Sequence, residues 1–194
     1  PITENRHYIV EYFYENYLGN WLPIEEGKSY RRVMATVTFI GNEKTLSMTN
    51  NNASLSRILT EDSNAFTFQF KDTAGNTASK DVSYSKFDNN VGETSYVLST
   101  TAKTNKNIFA TITITDDSGE IAYAEVKKGN DVYPFVDEPL GNEYVVELDS
   151  SGTYYVTAYD NAGNMWTTPL TVSNINKVVP TLTGLSYSIP PETI

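Results

Sequence analysis

One phrase of eleven residues occurs twice in this chain, and this repeat limits the possible folds more than any other feature of the sequence. Residues 66–76 read FTFQFKDTAGN and residues 154–164 read YYVTAYDNAGN, so the two copies lie 88 positions apart. In each copy an alternation of apolar and polar residues runs into Asp-x-Ala-Gly-Asn. Internal similarity at a fixed spacing is typical of a repeated structural module. The repeat therefore predicts that the 194 residues form two related units.

A second pair of matching segments supports this interpretation. Residues 33–39, VMATVTF, match residues 108–114, IFATITI, at a spacing of 75. Since the first pair is spaced by 88, the second unit has 13 more residues between its two anchors. We expect this insertion in surface loops or in an added edge strand, where closing a longer loop costs little free energy.

The repeated segments have the two-residue period of β-strands. Gly75 and Gly163 are expected to take the positive φ that a short hairpin requires, and Asp72 and Asp160 to accept hydrogen bonds from turn amides. The residues predicted to face the cores are Val33, Ala35, Val37 and Phe39 on one anchor, and Phe66, Phe68, Phe70, Tyr154, Val156 and Ala158 on the other.

Short strands separated by Gly and Asn turns predict an all-β fold of two antiparallel β-sandwiches in series. A single wound barrel would not explain the duplication. We assign residues 1–90 to a first domain and 91–179 to a second, with 180–194 as a linker and the first strand of a following module. Residues 1–25 are either the opening strand of the first sandwich or the remnant of an upstream module. Further strands are expected at 8–14, 45–49, 54–59, 80–87, 121–127, 131–136, 143–148 and 168–175.

Composition excludes several kinds of chemistry. The chain has 14 Lys and Arg against 24 Asp and Glu, a net charge of −10, which repels phosphate backbones, so we expect no nucleic-acid partner. There is no Cys for a disulfide, a thiolate zinc site or a nucleophile. No stretch approaches the roughly 20 apolar residues that span a bilayer. His7 is the single histidine, so a Ser-His-Asp triad would depend on it, and we expect no enzyme.

The alternating aromatic strand, the Asp-x-Ala-Gly-Asn turn, the next strand and residues 175–180, INKVVP, resemble tandem bacterial Ig-like domains. Such domains are found in long surface or secreted proteins, especially of Gram-positive bacteria. The resemblance covers about residues 30–182, and the first linker, DNNVG at 88–92, departs from it in lacking the Pro. It implies two tandem immunoglobulin-like antiparallel β-sandwiches of about seven strands each. It also implies an extracellular, cell-wall or cell-surface location, and it implies no ligand.

The function expected from this resemblance is a non-catalytic spacer or stalk that presents other domains. Its partners would be adjacent Ig-like modules of the same polypeptide. The alternative is an adhesin, or a carbohydrate-binding accessory module of an extracellular enzyme, whose partner would be a host protein or a polysaccharide. Exposed, coplanar aromatic rings would favour this alternative, since flat rings stack on sugars and anchor proteins. The ring candidates are Trp21, Tyr14 and Trp166.

A cofactor is not expected, but the sequence leaves one metal site open. Calcium is bound by six to eight oxygens from carboxylates, amides and carbonyls. Asp88, Asn90 and Glu93 offer such oxygens between the two predicted modules, and turn residues Asp72 and Asp160 could join them. The other interpretation of these residues is a polar, solvated hinge.

Overall fold

A computed structural model of the chain describes residues 7–40, 52–71, 75–117, 119–181 and 183–184. All regular secondary structure in these residues is β-strand, and all pairings between the strands are antiparallel. The described residues contain no helix long and apolar enough to cross a bilayer. The strands are β1 (His7–Glu15), β2 (Trp21–Pro23), β3 (Val33–Ile40), β4 (Asn52–Leu59), β5 (Ala65–Lys71), β6 (Thr77–Ser83), β7 (Glu93–Leu98), β8 (Ile108–Thr115), β9 (Ile121–Lys128), β10 (Asp131–Tyr133), β11 (Glu143–Leu148), β12 (Gly152–Asp160) and β13 (Met165–Val172).

The N-terminal half contains a four-stranded sheet in the order β2-β1-β3-β4 and the hairpin β5-β6. Strand β1 pairs with β3 from His7 opposite Ile40 to Tyr14 opposite Val33, so it lies inside the first sheet. Its tyrosines and valine pack on the buried residues of this half. The buried cluster consists of Ala35, Val37, Phe39, Leu59, Phe68, Phe70, Ala78 and Val82, with Tyr8, Val10, Tyr12, Tyr84 and Phe87 against it.

The C-terminal half has one sheet in the order β10-β9-β12-β13 and another in the order β11-β8-β7. Their facing sides form a second hydrophobic cluster, which shares no residue with the first. Strands β9 and β10 lie between the anchors β8 and β12, in the segment that is longer in the second copy of the repeat. The cluster contains Ile108, Ala110, Ile112, Ile114, Val126, Tyr144, Val146, Leu148, Tyr154, Val156, Ala158, Trp166, Leu170, Val172 and Ile175.

The predicted core faces are confirmed with one exception. Phe66 is 38% exposed, whereas Phe68 and Phe70 on the same strand are buried. Phe66 lies next to the first residue of β5, at the margin of the cluster, where its ring meets Phe68 edge-on. The guanidinium of Arg57 lies 5.0 Å from its centroid on the other side. The two-residue period gives the face of a strand but not the point along it where the opposing layer ends.

Both repeated segments pair as hairpins and the positive φ predicted for their glycines is confirmed, but their second strands begin earlier. Gly75 has φ of 90° and Gly163 has φ of 94°. Strands β6 and β13 begin three residues before the predicted positions 80 and 168, because the pairing already starts with Thr77 opposite Lys71 and with Met165 opposite Tyr159. The strand predicted at 45–49, Asp72 and most of 180–194 lie outside the described residues.

Candidate functional site

The turn between β12 and β13, residues 160–164, lies directly against the N-terminal half. The backbone N–H of Arg31 donates to the carbonyl of Ala162 at 2.9 Å. The side-chain amide of Asn164 donates to the carbonyl of Asp88 at 3.1 Å. A Cβ on Gly163 would lie 2.8 Å from the backbone oxygen of Glu15. Any other residue at this position would therefore force the turn or Glu15 to move. The second Asp-x-Ala-Gly-Asn turn is therefore part of a contact between the two halves.

Internal hydrogen bonds shape this turn. Asp160 accepts from the backbone N–H of Asn164 at 2.8 Å and from its side-chain amide at 2.9 Å. Both residues are buried, with exposed fractions of 1% and 3%. Burial raises the pKa of Asp160, the two hydrogen bonds from Asn164 oppose this rise, and the nearby charge of Asp116 adds to it. The predicted capping role of Asp160 is confirmed, and the hydrogen bonds of the turn offset part of the unfavourable effect of burying its carboxylate.

The other side of this contact is also ordered by charge. The carboxylate of Glu15 lies 2.6 Å from the guanidinium of Arg32 and 3.9 Å from that of Arg31. Arg31 supplies the N–H that binds the turn, so the ion pairs restrain the residue that makes the contact. Nearby, Glu120 accepts from the side chain of Asn161 at 2.8 Å and lies 3.5 Å from the amine of Lys28.

Three tyrosines pack across the same contact. The rings of Tyr17 and Tyr123 stack with centroids 5.4 Å apart and an interplanar angle of 5°. Tyr159 lies 5.8 Å from Tyr17 and 6.2 Å from Tyr123. Tyr17 belongs to the turn after β1, whereas the other two residues stand on β9 and β12. Aromatic pairs at such distances add to the stability given by buried area alone.

Carboxylates converge beside the linker between the two halves. One oxygen from each of Asp88, Asp116 and Asp117 lies within 4.8 Å of the others. Asn90 donates its backbone N–H to Asp88 at 3.0 Å and its side-chain amide to Asp117 at 2.8 Å. Burial raises the pKa of Asp88, and the charges of Asp117 and Asp116 raise it further. Like-charged oxygens in this arrangement attract a hard cation.

The carboxylates differ in part from the residues predicted for calcium. Asp88 and Asn90 are present, but Glu93 is not among the converging acids. It is exposed and stands opposite Thr115 at the start of β7. Asp116 and Asp117 were not among the residues predicted for calcium, because their distance from Asp88 along the chain gave no reason to bring them together. Calcium binding stays a prediction.

The aromatic side chains predicted for a ligand surface take part in packing. Trp166 is 9% exposed, donates its indole N–H to the hydroxyl of Thr94 at 2.9 Å, and lies so close to Gly92 that a Cβ there would be 2.5 Å from the ring. Tyr14 stacks on Tyr30 with centroids 4.2 Å apart. Trp21 is half-buried, with the guanidinium of Arg32 6.0 Å from its ring. The core position of Trp166 removes it from any exposed patch.

No protein-family model, curated protein or solved structure matches this chain. Its class is therefore defined by the fold: an all-β protein of several antiparallel sheets, with two separate hydrophobic clusters in the described residues.

Proposed function

We propose that this chain is a non-catalytic spacer of a bacterial cell-surface or secreted protein, built from two Ig-like sandwiches in series. Its role is geometric: it holds neighbouring domains at a set distance and angle. The observation that carries this proposal is the buried turn 160–164, which joins the second unit to the first through backbone groups. A unit held in this way cannot swing freely on its linker.

The contact contains the features that a fixed junction needs. Each hydrogen bond contributes only about 0.5–1.5 kcal/mol net, but a buried donor or acceptor left without a partner costs about 1–3 kcal/mol. The carbonyl of Asp88 and the side chain of Asn164 are both in buried residues, so a small displacement that breaks their hydrogen bond without admitting water is unfavourable. The stacked rings of Tyr17 and Tyr123, with the tilted ring of Tyr159 against them, add an apolar contact.

Length supports the same proposal. The anchor strands β3 and β8 have eight residues each and span about 26 Å at about 3.3 Å per residue. Two such units placed in series extend much further than one globule of the same mass. Additional modules of this kind, as neighbours in the polypeptide, would lengthen the spacer in equal steps.

The alternative of an adhesin or a carbohydrate-binding module depends on free aromatic rings. Trp166 is enclosed in the second cluster, and Tyr14 is stacked on Tyr30. These positions favour packing roles for two of the three rings on which the alternative was based. Of the three rings, Trp21 remains a candidate for the ligand surface of an adhesin or a carbohydrate-binding module.

Small-angle X-ray scattering tests the spacer proposal. A single compact globule of 194 residues has a radius of gyration of about 16 Å, and we expect a clearly larger value with a narrow spread of conformations. A value of about 16 Å would contradict units in series, and a broad spread would contradict a fixed junction. Binding to a panel of polysaccharides that disappears in Trp21→Ala would support the alternative function.

A further inference from the structure

The backbone has the same arrangement at the two points where the chain leaves a hydrophobic cluster, at Phe87 and at Ile175, which we call the first and the second exit. Tyr30 forms an isolated parallel bridge with Phe87, and Thr104 forms one with Ile175. Both bridges have the same pair of backbone hydrogen bonds. At the first, the N–H of Tyr30 donates to Lys86 O at 3.1 Å and the N–H of Asp88 donates to Tyr30 O at 3.2 Å. At the second, the N–H of Thr104 donates to Asn174 O at 2.9 Å and the N–H of Asn176 donates to Thr104 O at 2.8 Å. Asn176 is thus the structural equivalent of Asp88.

The next turn confirms this equivalence. Asp88 accepts a hydrogen bond from the N–H of Asn90 at 3.0 Å through its side chain. Asn176 accepts one from the N–H of Val178, also at 3.0 Å. In both places a side-chain oxygen caps the amide two residues later, so the two linkers start in the same direction.

The two exits differ in what covers them. Asp88 is 9% exposed, and its carbonyl receives the side chain of Asn164. Asn176, its equivalent, is exposed. The side chains of Arg31, the residue after Tyr30, and of Asn105, the residue after Thr104, are both exposed. The backbone N–H of Arg31 donates to the carbonyl of Ala162, whereas that of Asn105 has no such backbone acceptor among the described residues. The groups that hold the turn in the first exit therefore have solvent-exposed counterparts in the second.

We propose that Thr104, Asn105 and Asn176 form a docking face for a further sandwich that carries an Asp-x-Ala-Gly-Asn turn. The alanine carbonyl of that turn accepts from the N–H of Asn105, and its final asparagine side chain donates to the carbonyl of Asn176. This inference rests on the proposed spacer function, since it takes the contact between the two units as the pattern for the next one.

Backbone recognition explains why the two faces can differ in side chains. The side chains of Tyr30 and Thr104 have little in common, but the N–H and the carbonyl of each residue make the same pair of backbone hydrogen bonds. The partner contributes the specific part, because its turn needs a glycine at positive φ and an asparagine that reaches across. Such a junction can be repeated between modules whose sequences have diverged.

The test is a chain in which a copy of residues 92–179 is inserted after Val179, so that the linker keeps the length of the first one, with backbone amide exchange measured by NMR. In the unaltered chain we expect the amide of Arg31 to exchange slowly and that of Asn105 to exchange fast. In the extended chain the exchange of Asn105 should slow by about tenfold or more, as the amide becomes buried and bonded. Replacing the asparagine equivalent to Asn164 by Ala in the inserted copy alone should reverse much of this protection.

The possible results separate the two proposals. Fast exchange at Arg31 in the unaltered chain overturns the fixed junction and this inference together. Slow exchange at Arg31 with no change at Asn105 overturns only the docking face, provided that core amides of the inserted copy are protected. An unprotected core in the copy also overturns the inference, because the partner would then not be an independent module.

Discussion

The glycine at position 163 meets two separate demands, and its counterpart at position 75 meets only one. Both have φ near 90°, a conformation that costs a residue with a Cβ about 1–2 kcal/mol. At Gly163 a Cβ would also come within 2.8 Å of the carbonyl oxygen of Glu15, whereas at Gly75 the nearest atom is the end of the Lys71 side chain, 3.9 Å away. The same substitution at the two sites therefore separates backbone strain from contact between the units.

We predict that Gly163→Ala loosens the contact between the units and that Gly75→Ala does not. Both variants should lose about 1–2 kcal/mol of unfolding free energy locally, measured by amide exchange in the hairpin that contains them. In Gly163→Ala alone, the amide of Arg31 should also exchange faster, because Ala162 must move away with the turn. Equal exchange at Arg31 in both variants would show that the turn does not hold the first unit.

Asp149 offers a test of charge far from this contact. Hydrogen bonds from the hydroxyl of Ser150, and then from Tyr133 and Tyr154, lower the pKa of this carboxyl below its ordinary value of 3.8, although burial opposes them. A lowered pKa in the folded state means stabilisation that is present above pH 3.8 and is lost as the pH falls through the folded-state pKa.

We therefore predict that Asp149→Asn destabilises the C-terminal unit at pH 7 and has progressively less effect as the pH falls below 3.8. Urea unfolding at a series of pH values measures this difference. Asp131→Asn, at an exposed position of the same unit, is the matched control for removing one negative charge. A loss of stability in Asp149→Asn that is the same at every pH would exclude the charged hydrogen bonds as its cause.

At the scale of strands and linkers, the effect of the charge on Asp88 can be judged by comparison with the equivalent position of the second exit. Its equivalent, Asn176, forms the same capped turn without a charge. Burial first, and the charges of Asp117 and Asp116 after it, raise the pKa of Asp88, so its ionised form destabilises the fold at neutral pH. Asparagine at this position would keep the acceptor oxygen and remove the charge.

The expected result for Asp88→Asn is a gain in unfolding free energy at pH 7 that shrinks as the pH falls through the raised folded-state pKa of Asp88 and is gone below 3.8, where the aspartic acid is protonated in the folded and the unfolded chain. Urea unfolding in a metal-free buffer measures it, with the exposed Asp62→Asn as the control. A second series with calcium tests the predicted ion, because bound calcium would stabilise the unaltered chain more than the variant. A loss of stability in metal-free buffer would mean that the charge supports the linker.

The strands show how far sequence reasoning reaches. Val33, Ala35, Val37 and Phe39 are buried as predicted, because alternation along a strand is a local property that the sequence displays directly. The contact of Arg31 with Ala162 could not be predicted in this way, since it joins backbone groups that carry no side-chain signature. The convergence of Asp116 and Asp117 with Asp88 was missed for a different reason, since these carboxylates are far apart in the sequence and only the fold brings them within 4.8 Å of one another.

Trp166 illustrates a different limit. A tryptophan in a strand with an apolar body and a polar N–H is equally suited to a ligand surface and to a core that offers a hydrogen-bond acceptor. Trp166 lies in the core because the hydroxyl of Thr94 accepts its N–H and because Gly92, without a side chain, leaves room for its ring. Neither residue is close to Trp166 in the sequence. The repeat could predict the hairpin that carries this ring but not the surface that covers it.

For the whole molecule, the separation of the two clusters has a measurable consequence. Val37 belongs to the first cluster and Val156 to the second, and both are fully buried. Truncating either to Ala removes apolar area and leaves a cavity, at a cost of about 2 kcal/mol. Since the clusters share no residue, each loss should be confined to the unit that contains the substitution, with effects that add in the double variant.

We predict that Val37→Ala lowers amide protection in β3 and β5 with little change in β8 and β12, and that Val156→Ala does the reverse. A destabilised unit should affect the other unit only by weakening the contact around residues 160–164. Faster exchange of the Arg31 amide would measure that weakening. Protection that falls equally in all four strands for either variant would mean that the chain unfolds as one cooperative body. The two clusters would then behave as one cooperative core. This result would contradict a spacer built from independent units.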